Sequence, residues 1–134
     1  MREILFRGKD FSGVINHSWC FGSLDTTEDD RAIIIYPDRF GNKCRIFVNP
    51  ETVGQYAGLK DKNGTKIFEG DIVKRFWFGK MCIYQIDYDN GLASFIGRAG
   101  MKFTTFDYDS AEFEVVGNIH DNPELLRGND NAER

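Results

Sequence analysis

Asp87 and Asp89, like Asp107 and Asp109, stand two residues apart. On a strand that spacing turns both carboxylates of a pair to one face. If the two strands adjoin, four carboxylates gather and can hold a divalent cation through oxygen, the chemistry of a metal-dependent hydrolase. The run Asp87, Asp89, Asn90, Gly91 lacks the third ligand position and the distal glutamate of a calcium loop. Solvated strand faces are therefore expected, with no metal and no cofactor.

His17 and Cys20 are three apart, with Asp10 and Ser12 upstream. Three-residue spacing joins two ligands on a helix, but this segment reads as strand, where it puts them on opposite faces. A Cys–His nucleophile also needs a third orienting group, and none is apparent. His120-Asp121 offers an imidazole beside a carboxylate, yet Asp121-Asn122-Pro123 is better explained as the cap of a terminal helix. No catalytic residue is assigned, and the chain is expected not to be an enzyme.

Lys74-Arg75-Phe76-Trp77-Phe78-Gly79-Lys80 mixes cations with three consecutive aromatics. Such a mixture suits single-stranded nucleic acid, whose bases stack and whose phosphates pair with Lys and Arg. Residues 60–80 hold six Lys or Arg against three Asp or Glu. Lys74, Arg75, Trp77 and Lys80 are the candidate nucleic-acid contacts. Strand alternation places Arg75 and Trp77 on one face and Phe76 and Phe78 on the other, so one aromatic set is expected in the core.

The elements that carry these residues read mostly as strands. Residues 3–7 form a short strand, and residues 14–24 an aromatic-rich one. Residues 32–36 are β-branched and too short for a good helix, and residues 44–48 pair back on them across the turn at 37–42. Asn49 caps a helical turn begun by Pro50. Further strands are expected at 66–68, 71–78, 81–88, 92–96 and 113–119. Asn90-Gly91 is the strongest hairpin signal, because a primed two-residue turn needs two positive φ angles. A short helix through Leu125 and Leu126 closes the chain. Gly54, Gly58, Gly64 and Gly70 are expected to fix backbone geometry, and Asp71 to accept a turn amide.

The chain has 134 residues and a net charge of −4. That length suffices for a core without covalent staples. The acidic balance provides no general attraction to nucleic acid or anionic membrane. No apolar run approaches a membrane span. Three widely spaced cysteines, Cys20, Cys44 and Cys82, suit neither a disulfide framework nor zinc, and are expected as buried thiols. A cytoplasmic location is expected.

Thr52-Val53-Gly54-Gln55-Tyr56, Gly58-Leu59-Lys60-Asp61, Asn63-Gly64 and Glu69-Gly70-Asp71-Ile72-Val73 resemble the central block of the YopX family of bacteriophage and prophage proteins. Met1-Arg2-Glu3 with Phe6-Arg7, and Gly117-Asn118-Ile119 with Asn122-Pro123-Glu124-Leu125-Leu126, resemble its two ends. The resemblance implies a phage origin, a bacterial host cell and a fold, but no activity.

The expected architecture is mostly β. A small β subdomain over 1–56 packs on an SH3-like barrel or curled sheet over 57–128, with short helical turns and a disordered tail at 129–134. No Pro-, Gly- or Ser-rich linker divides the two parts, which leaves one shared core open. The expected role is a protein-interaction module that forms a homo-oligomer or binds a host or phage protein. Trp19, Phe21, Trp77 and Phe78 exceed what a small core must hold and are candidate anchors. Gln55, Tyr56, Lys60 and Asp61 are the candidate partner contacts, as a surface loop.

Overall fold

The structure, a computed structural model, describes residues 2–106 and 112–127. Asp107 and Asp109, and the tail at 129–134, lie outside the described residues. The fold is mostly β, in two antiparallel sheets, and divides into two compact units, Met1–Tyr56 and Ala57–Arg134.

In the first unit β1 (Phe6–Lys9), β2 (Trp19–Thr26), β3 (Ala32–Pro37) and β4 (Lys43–Val48) form an antiparallel meander. The run of β-branched residues forms β3, flanked by β2 and β4, and Ile34 is fully buried. Its neighbours there are Cys20, Ala32, Ile46 and Val48. Each such isoleucine contributes about 2 kcal/mol relative to an exposed one. Gly22 of β2 is required by space, since a Cβ there would lie 2.1 Å from the Ile35 carbonyl oxygen. Asn49 accepts the Glu51 amide at 3.1 Å, capping a single 3-10 turn, Pro50–Thr52.

Strand β5 (Gly54–Lys60) leaves that turn and pairs with β1, and β6 (Lys66–Phe68) follows. The order in this sheet is β4-β3-β2-β1-β5-β6. The second sheet comprises β7 (Asp71–Trp77), β8 (Lys80–Asp89), β9 (Ser94–Ala99), β10 (Lys102–Thr104) and β11 (Glu114–Asn118), in the order β10-β9-β8-β7-β11. Ile67, Val73, Tyr84, Ile86, Ala99 and Phe113 form the buried cluster of the second unit.

Of the two expected forms of the C-terminal unit, the curled sheet is the one present; the barrel is not closed. Among the described residues β10 and β11 end the sheet without pairing to each other. The curl is pronounced. Arg75 on β7 reaches the Thr104 hydroxyl on β10 at 3.4 Å, whereas three flat strand spacings would separate them by about 14 Å.

Several boundaries differ from the sequence reading. The segment before Trp19 is a turn, with Asn16 and His17 both at φ 58°, and not the start of a strand. Residues 54–60 are a strand despite their glycines, and β10 is a further strand that the sequence analysis did not anticipate. The tight turn of the second unit is Phe78-Gly79, at φ 49° and 76°, closed by the pair Trp77 and Lys80. Asn90-Gly91 instead opens a four-residue loop between Asp89 and Ser94, with the left-handed position at Ala93. The Asp89 carboxylate accepts the Leu92 amide at 3.0 Å and so stabilises the longer loop. The terminal helical turn is present at residues 124–127.

Candidate functional site

Strand pairing defines an arm in the second unit. β11 pairs with β7 only as far as Lys74, and β9 pairs with β8 only from Gln85. Residues 75–84 therefore form a two-stranded ribbon with no further strand on either side among the described residues. An isolated two-stranded ribbon is marginal in water, so something else must hold this one.

Arg75 does so at the base. Its guanidinium carbon lies 4.4 Å from the Trp77 ring centre, 4.7 Å from Phe113 and 5.5 Å from Tyr84. Its Nη2 donates to the Tyr84 hydroxyl at 3.2 Å. Burial pushes the Tyr84 hydroxyl above its ordinary pKa, and the Arg75 hydrogen bond opposes that rise. The Arg75 Nε is buried without a hydrogen-bond partner among the described residues.

The tip is apolar and exposed. Phe76 is 68% exposed, Trp77 45%, Phe78 91% and Met81 39%. Phe76 and Met81 are cross-strand partners, and the Trp77 and Phe78 rings meet edge to face at 4.9 Å. The expectation that Phe76 and Phe78, or Trp77, would fill the core is thus overturned. The core face of β7 is occupied lower down by Val73, and the ribbon continues past the sheet that would cover it.

Arg75, Trp77 and Lys80 lie on this ribbon and Lys74 lies just below it, but two of the cations already face carboxylates. Lys74 Nζ lies 3.1 Å from Glu114, and Arg75 Nη1 lies 3.9 Å from Glu112. The hydrogen bond from Lys74, with Lys62 nearby, holds the Glu114 carboxyl below its usual range.

The other candidates are placed differently. Gln55, Tyr56 and Lys60 lie on β5, a strand and not a surface loop. Tyr56 is buried, and its amide donates to the Leu5 carbonyl at 2.8 Å. Asp61 is 5% exposed, and its carboxylate accepts the amides of Asn63, Thr65 and Val115, each at 2.9 Å. Asp71 accepts the Phe68 amide at 2.7 Å, the turn-holding role expected of it.

Asp87 and Asp89 do share a face, and Arg98 bridges them at 2.8 and 2.9 Å. The Arg98 guanidinium on the adjacent strand occupies the place a cation would take. Among the described residues no group of three His, Cys, Asp or Glu could hold a metal ion. His120 lies in a turn built on Asn118, whose side-chain oxygen accepts the amides of His120 and Asp121 at 3.0 and 2.9 Å.

Asp10, named in the sequence only as a neighbour of His17 and Cys20, organises the 10–18 loop. Its buried carboxylate accepts the amides of Ser12, Gly13, Ile15 and His17 at 3.1, 3.2, 2.7 and 3.3 Å. Burial opposes its ionisation, but these amides outweigh burial and hold the carboxyl below its ordinary value. His17 Nδ1 lies 3.0 Å from the Asp10 carbonyl oxygen, to which it donates. The readable signal was Asp10-Phe11-Ser12-Gly13, turn chemistry led by an aspartate. All three cysteines are free thiols; Cys20 is buried, and Cys44 and Cys82 are half-buried. Among the described residues no helix is long and apolar enough to cross a membrane.

Fold and site together define an antiparallel two-sheet β protein whose buried carboxylates serve its own backbone and whose two-stranded arm carries three consecutive exposed aromatics. Residues 6–127 match the family described as YopX protein, and the chain belongs to that family. A similar fold is seen in the crystal structure of protein EF1440 from Enterococcus faecalis, with a TM-score of 0.55 and 24% sequence identity. The match covers 94% of this chain and 99% of that one. A search of curated proteins found no match.

Proposed function

We propose that this chain is a non-enzymatic interaction module, encoded by a phage or prophage and working in the cytoplasm of its bacterial host. It engages a protein, either a host or phage protein or further copies of itself, through the aromatic tip of the 75–84 ribbon. The observation that carries this reading is Phe78. It is 91% exposed and sits at φ 49°, where a bulky L-residue is strained by roughly 1–2 kcal/mol. The fold gains little from a phenylalanine there. Strain and exposed apolar surface at one position point to a contact made outside the chain.

The test compares the tagged wild-type chain with the double variant Phe76→Thr/Phe78→Asn. Both are examined by pull-down from host cells, with and without nuclease, and by light scattering. A nuclease-resistant protein partner, or an oligomer, that the variant loses while keeping its melting temperature supports the module. A monomer with no variant-sensitive partner ends the proposal.

A further inference from the structure

A recess of about 270 Å³ lies at the base of the ribbon, lined by Lys62, Lys74, Arg75, Phe76, Met81 and Glu112. Its charges are unequal. Lys62 and Lys74 both face Glu114, at 3.9 and 3.1 Å. Among the described residues Glu112 is the carboxylate that faces Arg75, and at 3.9 Å that pair is longer than a hydrogen bond. Glu112 is half exposed, so solvent screens the pair and it is easily exchanged. Among the described residues three cations against two carboxylates leave one positive charge, on a chain whose net charge is −4. Beside that charge stand the apolar side chains of Phe76 and Met81.

We propose that this recess seats one carboxylate of an acidic, apolar peptide segment of a protein partner, held by Arg75 and Lys74 in place of Glu112, with the segment's apolar side chains against Phe76 and Met81. The occupant rests on the interaction-module reading above. A single excess charge matches one carboxylate. A nucleic-acid backbone needs a row of cations, and here two glutamates interrupt any such row. One face of Trp77 is also covered by the Arg75 guanidinium, at 4.4 Å, which reduces its use as a stacking platform.

The test titrates the full chain at low salt with a capped short peptide alternating leucine and glutamate, followed by Trp77 fluorescence in a Trp19→Phe background. Controls are the same peptide with glutamine for glutamate, and an oligothymidylate. The acidic peptide should bind saturably at millimolar concentration or below, weaken with salt, and outcompete its glutamine form. Lys74→Gln should weaken binding about threefold, while Glu112→Gln, which removes the internal competitor, should strengthen it by about as much. A merely structural Glu112 would not yield that gain. Equal binding of both peptides overturns the carboxylate seat but leaves the apolar arm standing. No binding of either peptide overturns the seat, and the pull-down then judges the arm by itself. Binding of oligothymidylate in preference to peptide overturns both and hands the ribbon to nucleic acid.

Discussion

The carboxylate of Asp61 holds the backbone amide of Val115, 54 residues further along the chain, at 2.9 Å. Its other oxygen holds the amides of Asn63 and Thr65, so one side chain shapes the 61–64 turn and ties it to β11. Asp61→Ala would leave three amides without this acceptor, two of them close enough to the surface for water to compensate. The expected loss of stability is about 2–4 kcal/mol in urea unfolding. Asp61→Asn should keep the turn but present an NH2 to the Val115 amide, giving an intermediate loss. A neutral outcome for both would show that the amides find other partners.

Acid should weaken the fold through the same carboxylates. Asp10, Asp61, Asp89 and Glu114 all have folded pKa values lowered from their ordinary ones. At Asp10 and Asp61 burial opposes this, and the amide hydrogen bonds outweigh it. At Asp89 the Leu92 amide is the leading cause, and at Glu114 it is Lys74. A lowered folded pKa means that the unfolded chain binds more protons, so stability rises with pH through this window. The contribution is complete above the ordinary carboxylate values, and is lost as pH falls below about 4. Melting temperature measured against pH should be level from neutral to mildly acidic and then drop, with a shallower drop in Asp61→Asn.

Phe78→Asn separates stability from association. Asparagine tolerates the left-handed position of a primed turn, and Asn-Gly is the preferred pair there. The variant should be as stable as the wild type or more stable, by up to about 1 kcal/mol, while binding partner or self more weakly. Reduced stability with unchanged association would assign Phe78 to the scaffold.

Gly22→Ala should be severe. The new Cβ would meet the Ile35 carbonyl oxygen at 2.1 Å, and neither β2 nor β3 can move without disturbing the Ile34 cluster. A loss of about 3 kcal/mol or more is expected, seen as failure to give a cooperative melt. Gly41→Ala makes a useful control, since nothing lies within 4 Å of its Cβ and only its φ of 81° is strained.

Periodicity and turn chemistry, local properties of a sequence, determined the mostly β class, the strands at 32–36 and 66–68, the Asn49-Pro50 cap and the turn role of Asp71. They also brought out the mixed Lys74–Lys80 segment as unusual. What they did not determine was which neighbour each strand acquires. The Asn90-Gly91 signal expressed an intrinsic turn preference, but the Asp89 contact with Leu92 and the pairing of Asp89 with Ser94 selected a longer loop. Strand alternation assigned Phe76 and Trp77 to faces, but whether a face is buried depends on the length of the strands beside it. β9 and β11 stop short, and that leaves the aromatics of the ribbon in water. Asp61 looked like a loop contact because its third amide comes from Val115. Only the tertiary structure could bring that amide to it, because a hydrogen bond across 54 residues leaves no local periodicity to read.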